Sequence, residues 1–167
     1  MIRDVWIWGD FMTNVLFVCT GNTCRSPMAE AIFNKKVAEK GLDKEYIATS
    51  VGLAADLDEG KPSNNAIEVM KEKYGIDISK HIPKQITAED VENADLVLCM
   101  TASHLHHIAY FAHNSNDLKK TYTLRGYLEL PGDISDPYGA GKEVYEKCAD
   151  ELERMIDKVI EKLEFGR

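Results

Sequence analysis

The fold is most constrained by a short apolar run, residues 15–18, that leads directly into the polar segment CTGNTCRSP at residues 19–27. The apolar run predicts a buried strand, and the helical spacing of apolar residues that follows predicts a helix. Ser26 is the expected N-cap of that helix and Pro27 its first residue. The backbone N–H groups of such a loop converge at the positive end of the helix dipole. The segment therefore predicts an anion-binding site where the first strand ends.

The side chains of this loop suit a nucleophilic reaction at phosphorus. A free thiol has a pKa of ~8.5, and a helix N-terminus with a nearby cation is expected to lower that pKa for Cys19. The planar fork of Arg25 can hold two phosphate oxygens and stabilise charge during transfer. Gly21 is expected to allow a tight turn, and Asn22 tolerates a left-handed conformation. The pattern favours a cysteine-dependent phosphatase over a buried structural cysteine.

A second motif, the segment DPYG at residues 136–139, offers a proton donor. The following proline biases Asp136 toward an extended conformation, which can project its carboxyl toward a pocket. We expect Asp136 to act first as general acid and then as general base toward water. Tyr138 is a candidate for the pocket wall. The alternative for Asp136 is a plain Asp-Pro turn, and the alternative for Tyr138 is a half-buried loop aromatic.

Apolar periodicity alternates strands and helices along the chain. Strands are predicted at residues 15–18, 46–50, 95–99 and 121–124, and helices at 26–40, 63–74, from 87 and from 101. A long C-terminal helix is predicted from one apolar stripe: Val144, Cys148, Leu152, Met155, Val159 and Leu163. This alternation predicts a single α/β domain, a four-stranded parallel sheet with helices on both faces. The site is expected at the carboxyl ends of the strands.

Composition excludes several classes of function. The net charge is −8 and no basic run stands out, so neither nucleic acid nor membrane is an expected partner. No segment is long and apolar enough to span a membrane. The four cysteines do not form a secreted framework, and a cytoplasmic location is expected because the nucleophile must stay reduced. No cofactor is expected, since thiolate and arginine chemistry needs none.

Four histidines, namely His104, His106, His107 and His113, occur in one predicted helical region. A metal site needs further convergent ligands, and the sequence shows none, so no metal is expected. Surface or packed histidines are the better interpretation.

In its two motifs the chain resembles the low-molecular-weight protein tyrosine phosphatase family, over about residues 14–165. The resemblance implies that family's fold, a phosphorylated protein substrate and a phosphocysteine intermediate. It implies a phosphate or other oxyanion bound by the loop residues Thr20, Gly21, Asn22, Thr23, Cys24 and Ser26. It further implies Cys19 as nucleophile, Arg25 as phosphate clamp and Asp136 as general acid. By the same resemblance, Ser26 donates to the thiolate, Asn22 holds the strained loop, and Ser50 supports Asn22.

One loop position bears on the substrate. Many tyrosine phosphatases of this family carry a bulky apolar residue four places after the nucleophile, whereas the chain carries Thr23. The family's bacterial protein arginine phosphatases also place threonine there, and an aromatic and a glycine after the aspartate-proline. The resemblance thus favours phosphoarginine, with phosphotyrosine and a neutral Thr23 as the alternative. It also implies a redox-sensitive disulfide between Cys24 and the nucleophile, with a loop cysteine of no redox role as the alternative.

The remaining expectations concern organisation and rival functions. Residues 1–13 are predicted to be an N-terminal extension, either native or not, and residues 14–167 a single phosphatase domain. The loops 51–61 and 125–139 are expected to rim the pocket. The first contains Asp56, Asp58 and Glu59, a candidate acidic rim for a cationic substrate, with a solvated charged loop as the alternative. The rival functions are an arsenate reductase of the same fold, a phosphocysteine sugar-transport carrier, which would not need Arg25 and Asp136 together, and a non-catalytic phosphoprotein-binding module.

Overall fold

Parallel strands form one sheet in the computed structural model, which describes residues 11–112 and 114–166. They are β1 (Thr13–Cys19), β2 (Tyr46–Gly52), β3 (Leu96–Cys99) and β4 (Thr121–Thr123). The order in the sheet is β2-β1-β3-β4, and each neighbouring pair is parallel. The predicted four-stranded parallel sheet is confirmed.

Each predicted helix is present, and the described residues also contain two short helices, between residues 115 and 127, that the sequence did not predict. They are α1 (Arg25–Glu39), α2 (Asn64–Tyr74), α3 (Ala88–Asn93), α4 (Ala102–Ile108), α5 (Ser115–Lys119), α6 (Leu124–Tyr127) and α7 (Lys142–Phe165). Ser63, Thr87 and Thr101 each accept a backbone N–H at the start of a helix, as expected of N-caps. Gly75 ends α2 at a φ of 65°, a conformation that favours glycine.

Two apolar clusters hold helices against opposite faces of the sheet. Alternate residues of β1 point to opposite faces, so Phe17 joins one cluster and Val18 the other. The first cluster packs α1, α2 and α7 against the sheet, and the second packs α3 and α4. Removal of these apolar side chains from water stabilises the layered arrangement. The expectation of helices on both faces is therefore confirmed.

Two predicted details are wrong. Val144 is 43% exposed, and Tyr145 takes its place in the core. The inward stripe of α7 continues through Ala149 and Leu152, and Val144 lies about 100° around the helix from Tyr145. Leu124 begins α6 rather than ending β4, because the Thr123 hydroxyl caps that short helix by accepting the Gly126 N–H at 2.8 Å.

The inner strand β1 delivers the predicted loop to the carboxyl edge of the sheet. β1 and β2 end side by side at Cys19 and Gly52. A Cβ on Gly52 would lie 2.6 Å from the carbonyl oxygen of Thr20, so glycine is needed for the loop to pass this close.

The predicted N-terminal extension falls largely on residues 1–10, which lie outside the described residues, as does His113. Thr13, the last residue of that predicted extension, is already paired with Tyr46 in the sheet. Among the described residues, no helix is both long and apolar enough to cross a membrane.

Candidate active site

The loop between β1 and α1 turns at Asn22, whose φ of 57° is left-handed. Asn22 behaves as expected, but Gly21 does not have a positive φ, and a Cβ there would only reach ordinary contact with Thr23 Oγ1 at 3.5 Å. The expectation that Gly21 provides the turn is therefore wrong. The strained position is the asparagine, whose side chain is held by four hydrogen bonds.

The start of α1 also differs from the expectation. The N-cap is Cys24, which makes no side-chain cap hydrogen bond, and the helix begins at Arg25. Ser26 and Pro27 are thus the second and third helical residues rather than the cap and the first. The Ser26 hydroxyl points inward instead, and its Oγ lies 2.8 Å from Cys19 Sγ. The Ser26 hydroxyl and the Ser26 backbone N–H thus both interact with the Cys19 sulfur.

Cys19 is buried, with 2% of its surface exposed. Burial raises the pKa of its thiol, and this effect exceeds the lowering by the Ser26 hydroxyl, the Ser26 N–H, the Arg25 charge and the Asn22 N–H. The expected lowering of the pKa is therefore wrong, because it left out the desolvation of the sulfur. The opposing groups all favour the thiolate, which is the attacking form of a cysteine.

The amide of Asn22 ties the loop to its surroundings. Its Nδ2 donates to Ser26 Oγ at 2.8 Å and to Ser50 Oγ at 3.0 Å. Its Oδ1 accepts from the Lys84 backbone N–H at 2.9 Å and lies 3.0 Å from His81 Nε2. The contact with Ser50 that the resemblance implied is present. The partners His81 and Lys84, about sixty residues away along the chain, were not expected.

Behind this amide lies a partly buried acid, Glu30, whose side chain is 25% exposed. Glu30 hydrogen bonds with Ser50, and its Oε2 lies 3.8 Å from His81 Nδ1. Burial raises the pKa of Glu30 from 4.5 to about 7, with the Ser50 hydroxyl acting in the opposite direction. Burial likewise lowers the pKa of His81, so burial favours the neutral form of both side chains.

Replacement of Glu30 by glutamine is expected to stabilise the protein above pH 7. Between pH 4.5 and about 7 folded Glu30 keeps a proton that the unfolded chain has lost, so the free energy of unfolding falls as pH rises. Glutamine does not ionise, and we expect a gain of about 1–3 kcal/mol at pH 8 and little difference at pH 4. Urea unfolding of the wild type and the variant between pH 4 and pH 8 measures these differences in the free energy of unfolding. The control Glu39→Gln, on the exposed side of α1, should show the same dependence of the unfolding free energy on pH as the wild type. The same dependence in Glu30→Gln would contradict the prediction.

Arg25 and Asp136, far apart in sequence, meet beside the loop. Arg25 is 4% exposed, and its Nη1 donates to the Ile134 carbonyl oxygen at 2.9 Å. Its Nη2 lies 3.5 Å from Asp136 Oδ2, while Asp136 Oδ1 accepts the Tyr138 N–H at 3.1 Å. The Asp136 side chain is 49% exposed. The contact with the Ile134 carbonyl thus fixes the Arg25 guanidinium, and the half-exposed carboxyl of Asp136 lies next to it.

A cavity of about 370 Å³ joins these groups. It is lined by Cys19, Thr20, Gly21, Thr23, Cys24, Arg25, Ala54, Ala55, Asp56, Asp136 and Tyr138. Both predicted rim loops contribute to it, and Tyr138 is an exposed wall residue, as expected. Of the acidic residues in the first loop, Asp56 lines the cavity, whereas Asp58 and Glu59 are exposed outside its lining.

His104 is a second partner of the loop that the sequence did not single out. The Thr101 N–H donates to its Nδ1 at 3.2 Å, so the neutral ring carries its hydrogen on Nε2, which lies 2.9 Å from Thr20 Oγ1. Burial and then the Arg25 charge lower the pKa of His104 to about 4. The spacing Thr101-x-x-His104, a capping box, was the available signal. No group of three or more His, Cys, Asp or Glu among the described residues could hold a metal ion.

Cys24 points toward two polar groups. Its Sγ lies 3.3 Å from Tyr145 Oη and 3.4 Å from Ser63 Oγ. Cys19 and Cys24 are both free thiols, and the disulfide between them stays a prediction.

The chain is similar to known proteins over almost its whole length. A sequence model of the family described as "Low molecular weight phosphotyrosine protein phosphatase" matches residues 14–166. A protein-arginine-phosphatase of Bacillus subtilis is 38% identical, with 92% of this chain and 99% of that protein covered. The crystal structure of a low molecular weight protein tyrosine phosphatase from T. tengcongensis is 48% identical, covers 90% of this chain and 99% of its own, and has a TM-score of 0.83. A third solved structure is that of an arginine phosphatase variant in which serine replaces cysteine and the active-site serine is phosphorylated. It is 36% identical, covers 91% of this chain and 96% of its own, and has a TM-score of 0.83.

Proposed function

The chain belongs to the low molecular weight phosphotyrosine protein phosphatase family, and we propose that it removes phosphoryl groups from phosphoarginine in proteins, with Cys19 as nucleophile. The observation that carries the proposal is the convergence of three groups on one cavity: the buried thiol of Cys19, the buried guanidinium of Arg25 and the exposed carboxyl of Asp136. A nucleophile, an anion clamp and a proton donor are the parts that phosphoryl transfer to cysteine requires.

In the first step the Cys19 thiolate attacks phosphorus. The S–P bond forms as the bond from phosphorus to the leaving atom breaks, and the protonated carboxyl of Asp136 gives its proton to that atom. The remaining donors of Arg25 and the N–H groups of the loop hold the equatorial oxygens, where negative charge is concentrated. The Ser26 hydroxyl, 2.8 Å from Cys19 Sγ, stabilises the thiolate before attack.

In the second step water hydrolyses the phosphocysteine. The Asp136 carboxylate takes a proton from the water, whose oxygen forms the new bond to phosphorus while the S–P bond breaks and restores the thiolate. The similar arginine phosphatase with a phosphorylated active-site serine supports a covalent intermediate at this loop position.

Thr23 and the similarity to an arginine phosphatase support phosphoarginine as the substrate. Thr23 lines the cavity and is buried, and its small polar side chain offers little apolar surface to a phenyl ring. The relative from Bacillus subtilis is named a protein-arginine-phosphatase. The two remaining cysteines argue against an arsenate reductase, because Cys99 and Cys148 belong to the apolar clusters on opposite faces of the sheet.

The test compares kcat/KM on phosphoarginine and phosphotyrosine peptides of otherwise identical sequence. We expect the wild type to prefer phosphoarginine, and Thr23→Ile to reduce that preference by roughly tenfold, since an added apolar group favours the flat ring. Thr49→Ile, the same substitution on the exposed side of β2, is the matched control and should keep the wild-type ratio. A wild-type preference for phosphotyrosine would contradict the proposed substrate.

A further inference from the structure

We infer that Asp56 is a specificity-determining residue of this site, whose carboxylate binds the guanidinium of phosphoarginine at the mouth of the cavity. The inference rests on the proposed function and adds to it a residue from outside the phosphate loop and the aspartate-proline motif. Asp56 lines the same cavity as Cys19, Arg25 and Asp136.

The position of Asp56 is fixed relative to the nucleophile. The loop that carries it is bound to the phosphate loop by three backbone hydrogen bonds: Leu53 N–H to Cys19 O at 3.0 Å, Ala54 N–H to Thr20 O at 2.9 Å and Asp56 N–H to Gly21 O at 3.0 Å. The Asp56 Oδ1 accepts the Glu59 N–H at 3.0 Å, which orients the carboxylate. Three successive residues of the phosphate loop are thus joined to residues 53, 54 and 56, and Asp56 has a defined place beside Gly21.

The charge of Asp56 is not neutralised by a neighbouring cation. Within residues 11–112 and 114–166 no Lys or Arg nitrogen lies within 4.0 Å of its carboxylate, whereas Asp136 is 3.5 Å from Arg25. The adjacent Ala54 and Ala55 leave the cavity wall open around it. A partly buried carboxylate in such a place favours a cationic group on the ligand.

The two candidate substrates differ in that respect. Phosphoarginine carries its phosphoryl group on a guanidinium, which is positively charged and has N–H donors directed away from phosphorus. When the loop and Arg25 hold the phosphoryl group, the guanidinium of the substrate lies next to that group, on the side of the cavity lined by Asp56 and Asp136. Phosphotyrosine has an uncharged ring in this position, and its dianionic phosphate is only repelled by the Asp56 charge.

The test is Asp56→Asn, because asparagine keeps the Oδ1 that accepts the Glu59 N–H and loses only the charge. We expect kcat/KM on the phosphoarginine peptide to fall about tenfold through lost charge-assisted hydrogen bonding, and kcat/KM on the phosphotyrosine peptide to stay level or rise. Asp58→Asn removes the same charge from an exposed position of the same loop and should leave the ratio of the two values unchanged.

The outcomes separate the inference from the function on which it rests. Equal losses on both peptides, or an unchanged ratio in a wild type that prefers phosphoarginine, would overturn the role of Asp56. A fall of the ratio in Asp58→Asn as large as in Asp56→Asn would also overturn it, since the effect would then be one of net charge. A wild type that hydrolyses only the phosphotyrosine peptide would instead refute the proposed function itself.

Discussion

Cys19→Ser is expected to reduce kcat by at least about four orders of magnitude on any aryl or guanidino phosphate. A serine hydroxyl is hardly ionised at neutral pH even beside Ser26 and Arg25, so its attack is slow, and a phosphoserine once formed is hydrolysed slowly because the serine oxygen is a poorer leaving group than the cysteine sulfur. The remaining loop is intact in this variant, because the serine is smaller than the cysteine and keeps a polar atom at the same position. The loss should therefore appear in turnover, with phosphate binding largely retained.

The matched control for this variant is Cys99→Ala, which removes a buried thiol from the end of β3 outside the cavity. It should lose stability but keep kcat, as read from thermal unfolding and steady-state kinetics. Retention of even a hundredth of the activity in a folded Cys19→Ser protein would be incompatible with a cysteine nucleophile.

Arg25→Lys is expected to lower kcat/KM by roughly a thousandfold, although the charge is kept. The guanidinium of Arg25 donates to the Ile134 carbonyl with Nη1 and contacts Asp136 with Nη2. Its planar fork can hold these partners and still direct further N–H donors at two phosphate oxygens. A single ammonium cannot do both, so the lysine variant should also bind inorganic phosphate and vanadate more weakly.

Arg125→Lys provides the same substitution in a comparable setting outside the cavity. Arg125 also bonds a backbone carbonyl, that of Pro131 at 2.7 Å, and a carboxylate, that of Glu151 at 2.8 Å. We expect this control to stay within about threefold of the wild-type kcat/KM, as surface polar contacts contribute little to a distant reaction. Similar losses in the two variants would mean that Arg25 acts through folding and not through the phosphate.

Local signals in the sequence were sufficient for the four strands, the longer helices and the central groups of the site. The alternation of apolar patterns predicted the parallel sheet, and the end of β1 placed Cys19 at its carboxyl edge. The spacing from Cys19 to Arg25 and the proline after Asp136 are local features, and the structure brings these three residues to one cavity.

Several of the site details that failed depend on contacts that only the folded chain makes. Ser26 has every local property of an N-cap, but its hydroxyl is used by Cys19 and Asn22, contacts that exist only once the loop has closed. His81 and His104 reach the loop from the segments after α2 and β3, and no periodicity of the sequence pairs them with Asn22 or Thr20. The predicted lowering of the Cys19 pKa was wrong for the same reason, since burial of the sulfur is a property of the folded chain.

The most direct test of the account is to trap the phosphoenzyme. Asp136→Asn lacks both the acid of the first step and the base of the second, so an aryl phosphate whose leaving group departs without a proton, such as 4-nitrophenyl phosphate, should still phosphorylate it, and the phosphoenzyme should accumulate because its hydrolysis is slow. Mass spectrometry of the digested protein is predicted to find the mass of one phosphoryl group on the peptide that contains Cys19, with the group on sulfur. Release of phosphate with an unmodified enzyme, or a phosphoryl group on any other residue, would contradict the covalent mechanism.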